Sequence, residues 1–162
     1  MMTYYQKLAH LFSTKNHLNS EGQLTISFGK TGASSDEIES ISSTIIELIP
    51  KDYIDFLKCW NGCTLYDLEG QAGFQFFDTN EIEFETNNFK DIYESDWDES
   101  IILFCSVLGS GDYIGFRIKS NSYEVIDCCH DDRPQDWSVI TNTFTDFINQ
   151  LLYAKGTSFW LY

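Results

Sequence analysis

The chain has 162 residues, a formal net charge of −15, 43% hydrophobic and 16% aromatic content. That length fits one ordinary domain able to bury a continuous core unaided, and the composition is that of a folded chain. The charge disfavours direct binding to nucleic acid or an anionic membrane, both of which present like charge. No apolar run approaches the roughly 20 residues that span a bilayer, and Met1 to Lys7 lacks a basic start leading into a hydrophobic stretch, so the chain reads as cytoplasmic.

From the N-terminus, Tyr4, Leu8, Leu11 and Phe12 repeat at helical spacing and predict an amphipathic first helix over about 3–14, ahead of the polar run Asn16 to Gly22. Gln23 to Phe28 alternates as a short strand, and Gly29 to Gly32 punctuates the chain. Ser34 with Glu37 fits a capping box, each side chain satisfying the other's backbone amide, and opens a helix with Ile38, Ile41, Ile45 and Leu48 inward. The β-branched Thr44, Ile45 and Ile46 weaken its end, and the residue before Pro50 is pushed to extended backbone, so a kinked helix pair is expected. Pro50 reads as the first position of the next helix, with Asp52 near its positive end. Tyr53, Phe56, Leu57 and Trp60 lie at i, i+3, i+4 and i+7 on one apolar face, and Asn61-Gly62 stops the helix.

Leu65 to Leu68 and Phe74 to Phe77 predict strands around the Glu69-Gly70 turn, and Asn80 to Thr86 a short helix. Ile101 to Val107 suits a central strand buried on both faces. Gly109-Ser110-Gly111-Asp112 reads as a hairpin turn into Tyr113 to Ile118, where Ile114, Phe116 and Ile118 alternate with wetter positions. Tyr123 to Cys128 continues the antiparallel meander, and Ser138 to Thr141 adds a last strand. Thr143 caps a final helix carrying Phe144, Phe147, Ile148, Leu151 and Leu152, ended by Gly156. In the apolar tail 156–162, Phe159, Trp160 and Leu161 are expected to dock on their own domain, with self-association as the alternative.

The negative charge is concentrated. Residues 67–104 hold eleven Asp or Glu and one basic residue, Lys90. Within them Phe89, Tyr93 and Trp97, together with Phe84, are interleaved with Glu81, Glu83, Glu85, Asp91, Glu94, Asp96, Asp98 and Glu99. Such a mixture suits a protein interface with aromatic anchors and a basic partner; a solvated acidic face with inward aromatics is the competing reading. Asp131 and Asp132 could join that surface. The five cysteines are odd in number and suggest reduced thiols. Cys59, Cys63, Cys128, Cys129 and His130 could supply zinc ligands, but no Cys-x-x-Cys knuckle is present and the vicinal pair points to opposite strand faces, so no metal or other cofactor is expected. For catalysis only Asp127, His130, Asp131, Asp132 and Arg133 form a cluster of suitable types, and no recognised nucleophile, phosphate or metal motif accompanies it.

Ile49 to Gly62, with Pro50, Tyr53, Leu57, Trp60, Asn61 and Gly62, resembles the signature of the SUKH superfamily, which includes yeast cell-wall assembly regulators and many bacterial immunity proteins. Gly109, Gly111 and Asp112 are similar to its glycine-aspartate turn, Asp127 to Asp131 to its aspartate-histidine segment, and Phe144 and Phe147 to its last helix. The resemblance spans about 34–152. With the elements above, it implies one α+β domain over 1–162, built on a mainly antiparallel curved sheet of about five to six strands flanked by helices, to which the first helix and the tail are additions. It also implies a non-catalytic immunity protein that neutralises a secreted polymorphic toxin, a nuclease or other nucleic-acid-acting enzyme, and the acidic charge points to a basic toxin domain as the partner. A monomer or weak homodimer fits. A regulatory scaffold and a small-ligand-binding module are the alternatives.

Overall fold

The computed structural model describes residues 1–162. Helix α1 (Tyr4–Thr14) begins at Thr3, whose hydroxyl accepts the Gln6 amide while the Gln6 side chain accepts the Thr3 amide. Strands β1 (Asn16–Leu18) and β2 (Leu24–Gly29) follow, then two short helices, α2 (Ser35–Glu39) and α3 (Ser43–Ile46), and α4 (Lys51–Cys59). Next come β3 (Cys63–Asp67), β4 (Phe74–Phe76), α5 (Glu81–Tyr93), β5 (Ile101–Val107), β6 (Tyr113–Ile118), β7 (Tyr123–Cys128), β8 (Val139–Thr141) and α6 (Phe144–Tyr153).

All eight strands form one antiparallel sheet in the order β1 to β8. This is the expected α+β domain with more strands than the five to six anticipated. Strand β1 lies in the polar run Asn16 to Gly22, for which the sequence predicts no element: Asn16, His17 and Leu18 pair with Ile26, Thr25 and Leu24. Pairing with a neighbour makes it a strand; its own propensity does not. The Ser34–Glu37 capping box forms, but its helix breaks after Glu39 and restarts at Ser43. Pro50 stands one position earlier than expected. Its ψ of 145° is extended, which makes it the cap residue, and the helix starts at Lys51. Gly62 takes φ +85°, and a Cβ there would lie 2.8 Å from the Phe76 carbonyl, so the stop after α4 requires glycine.

Helices α4 and α6 cover one face of the sheet. Phe144 sits between them, with ring centroids 5.2 Å from Tyr53, 5.4 Å from Phe56 and 5.8 Å from Phe104. The Tyr53 hydroxyl donates to the Phe77 carbonyl at 2.8 Å, which satisfies the one polar atom of a fully buried ring. Tyr123 ties the two helices: its hydroxyl donates to Asp52 on α4 and accepts the Phe144 amide at 2.7 Å. The first five residues of β5, Ile101 to Cys105, are buried on both faces, as expected of a central strand. In the tail, Phe159 and Trp160 pack on Phe147, and the Trp160 indole donates to Asp127 at 3.1 Å. Leu161 stays exposed, contrary to expectation. Thirty-two buried apolar residues form one cluster, so the chain has one core.

Phe144→Ala is expected to lower the unfolding free energy by about 3–5 kcal/mol, because the cavity opens among rings held by two tethered helices. Phe84→Ala, on the exposed face of α5, should change it by no more than about 0.5 kcal/mol. Urea denaturation of both variants checks the contrast.

Candidate partner-binding surface

Helix α5 lies on the face of the sheet opposite α4 and α6. Its start is fixed by Asp78, whose Oδ1 accepts the amides of Asn80 at 2.9 Å and Glu81 at 2.8 Å, while Glu81 Oε1 accepts the Asp78 amide in return. Lys30 closes the group, 3.1 Å from Asp78 and 3.4 Å from Glu81. Burial pushes the Asp78 carboxyl up, but the Glu81 amide and Lys30 outweigh it and hold it below the usual range. Burial, reinforced by the negative charge of Asp78, raises Glu81. Asn61 connects this start to the family segment: its Oδ1 accepts the Thr79 amide at 2.9 Å and its Nδ2 donates to Glu37 at 2.8 Å. The motif of α4 thus positions the acidic helix.

The helix runs to Tyr93, well past the expected end at Thr86, and this corrects the reading of the aromatics. Ile82, Thr86, Phe89 and Tyr93 recur on one face. Thr86 Oγ1 accepts the Leu103 amide at 3.0 Å, and Phe89 stacks on Trp137 with centroids 5.6 Å apart and planes 8° apart. Trp97 meets Trp137 edge to face at 6.0 Å. Phe89 and Trp97 are therefore core residues, not surface anchors. Tyr93 is half-buried, and its hydroxyl donates to the carbonyls of His130 and Asp132. The exposed apolar side chains of α5 are Phe84 and Ile92, at 63% and 70% exposure.

The carboxylates fan out in three directions. Glu81 and Glu85 occupy one flank, accepting hydrogen bonds from the Gln75 side chain at 2.8 Å and the Tyr113 hydroxyl at 3.1 Å. Glu83 turns to the other flank, where it lines a cleft of about 460 Å³ with Glu47, Leu48, Lys90 and Glu99. There Lys90 pairs with Glu99 at 2.7 Å, in solvent and with little energetic weight. Asp91, Glu94 and Asp96 project from the C-terminal end, and Tyr93 draws the loop bearing exposed Asp131 and Asp132 beside them. Asp98 is set apart by its bond to the Ser100 amide and its 3.8 Å approach to Arg117. A groove of about 670 Å³ lies between the N-terminal residues and α6, lined by Met2, Tyr5, Asn149 and Tyr153.

Three of the residues considered for catalysis hold a partner, while Asp131 and Asp132 are exposed. Asp127 is bound by Trp160, Arg133 by Asp136 at 3.4 Å, and His130 by Asp112, whose Oδ1 accepts both the His130 amide and its ring Nδ1, the latter at 2.6 Å. Gly109 and Gly111, both at positive φ, shape the turn that presents Asp112. Of the cysteines, Cys63, Cys105 and Cys128 are buried, and burial pushes their thiols up; Cys59 is exposed at the end of α4.

The Asp112 carboxylate raises the His130 pKa, with Asp131, 3.3 Å from Nε2, adding to the effect. A raised histidine value means the pair contributes stability that is fully present below about pH 6.5 and lost as pH rises through the His130 value. An NMR titration should place His130 above the usual value, and Asp112→Asn should return it towards about 6.5.

The profile of the SMI1 / KNR4 family (SUKH-1) matches residues 32–150. A search of curated proteins found no match to the chain. The profile covers most of the chain, from the segment before α2 to α6, including Pro50 to Gly62, the Gly109–Asp112 turn, Phe144 and Phe147. The chain belongs to the SMI1 / KNR4 (SUKH-1) family.

Proposed function

We propose that this chain is a non-catalytic immunity protein that binds and neutralises a toxin with a basic active surface, of the nuclease or nucleic-acid-acting kind. The carrying observation is the placement of exposed carboxylates at the end of a core-anchored helix: Asp91, Glu94 and Asp96, with Asp131 and Asp132 drawn beside them. A toxin that grips phosphates needs a basic groove, and fixed carboxylates can occupy the positions where phosphates would lie. Inhibition is then steric and electrostatic, with no turnover. Family membership supports this reading.

The test is capture from the native organism with tagged wild type and with a variant carrying Asp91→Asn, Glu94→Gln, Asp96→Asn and Asp132→Asn. These side chains are exposed, so the variant should fold with an unchanged melting temperature. Recovery of one basic toxin domain by the wild type, with strongly reduced recovery by the variant, is the expected outcome. Equal recovery moves the contact elsewhere, and recovery of no toxin by either contradicts the immunity role.

A further inference from the structure

Strand β2 is turned inside out relative to its composition. Thr25 and Ser27 are fully buried, whereas Leu24, Ile26 and Phe28 are 64%, 48% and 40% exposed. The inner face has room only for small side chains here: a Cβ on Gly29 would lie 2.6 Å from Trp60 and 2.8 Å from Phe12, which fill the space beneath α1. The buried hydroxyls are satisfied, Thr25 donating to the His17 carbonyl at 2.7 Å and Ser27 accepting the Tyr66 amide at 2.9 Å. A period of two then forces the large apolar residues outward. Leu18 pairs with Leu24 and is 58% exposed, so four large apolar side chains share an uncovered stretch of the outer sheet face.

That stretch is continuous with the acidic helix. Phe28 pairs with Thr64, Thr64 with Gln75, Gln75 with Ser106, and Ser106 with Tyr113, a row on one face of the sheet. Gln75 and Tyr113 are the donors to Glu81 and Glu85, so the row ends at a wall of carboxylates. Asp67 pairs with Ile26 and adds charge beside the apolar strip. Lys30, just beyond Phe28, is already engaged by Asp78 and Glu81.

We infer that this surface, Leu18, Leu24, Ile26 and Phe28 bordered by Glu81 and Glu85, is the apolar half of the binding face, and that its occupant is a basic protein surface presenting an apolar element. The inference rests on the function proposed above and supplies the apolar anchors that Phe89 and Trp97 do not. An apolar centre with a charged rim is the ordinary anatomy of a protein interface. A second copy of this chain would bring another net charge of −15 against the same carboxylates, so charge complementarity selects a basic partner.

The test uses the basic toxin domain recovered with the wild-type chain, purified and returned to wild type and to Ile26→Ser/Phe28→Ser. Both side chains are on the solvent face, and an unchanged melting temperature verifies the fold. The expected result is affinity lower by about tenfold or more, with amides of residues 16–28 protected from hydrogen exchange in the wild-type complex. Unchanged affinity without protection overturns the proposed surface and leaves the immunity role intact. If no toxin domain is recovered, both fall together. Sedimentation of the wild type alone is the remaining arm: self-association abolished by Ile26→Ser/Phe28→Ser makes a second copy the occupant and overturns the assignment.

Discussion

Helix α5 is held on the sheet by one face, Ile82, Thr86, Phe89 and Tyr93, and that attachment decides where every carboxylate between Glu81 and Glu94 points. The contacts are specific: a hydroxyl on the Leu103 amide, a ring stacked flat on Trp137, a phenol reaching two carbonyls of the loop after β7. A helix fixed in this way has no rotational freedom to hide its charge. Glu83, Phe84, Glu85 and Asp91 are displayed because their neighbours are buried. The same attachment brings Asp131 and Asp132 to the helix end, joining acidic residues about 40 positions apart in sequence into one surface.

The family segment acts at one remove from that surface. Tyr53, Phe56 and Leu57 bury α4, Gly62 permits the abrupt stop, and Asn61 reaches from the stop to Thr79 and Glu37. Two residues beyond Thr79 the acidic helix begins. The Gly109–Asp112 turn does a parallel job at the other end of the sheet, where Asp112 holds His130 and with it the loop that meets Tyr93. The residues that carry the resemblance are thus the frame, and the exposed residues free to suit a partner lie on what the frame presents. This division accords with the general separation of fold from binding specificity.

Much of this was legible in the sequence because it depends on local rules. Capping at Ser34 and Thr143, the apolar face of α4, the doubly buried β5 and the hairpin after Val107 all follow from spacing and residue type. What escaped depends on neighbouring elements rather than on a segment's own residues. Strand β1 exists because β2 is beside it, and the inversion of β2 follows from Trp60 and Phe12 occupying the space that Leu24, Ile26 and Phe28 would otherwise claim. The misassignment of Phe89 and Trp97 as anchors had a local remedy. Continuing the helix past Thr86 places Ile82, Thr86, Phe89 and Tyr93 at i, i+4, i+7 and i+11, the stripe of a buried face. The concentration of charge is a property of composition, but the division of the carboxylates into two flanks and an end is a property of the helix angle that composition does not carry.

The proposed mode of action rests on an electrostatic field with a defined source, and salt acts on that field directly. Stopped-flow measurement of the association rate with the purified toxin domain, from low ionic strength to about 0.5 M salt, is therefore the most direct test. Steering by the carboxylates of α5 and the loop beside it requires the rate to fall by about tenfold or more across that range, with a much weaker change in dissociation. An association rate that stays level from low to high salt would contradict it.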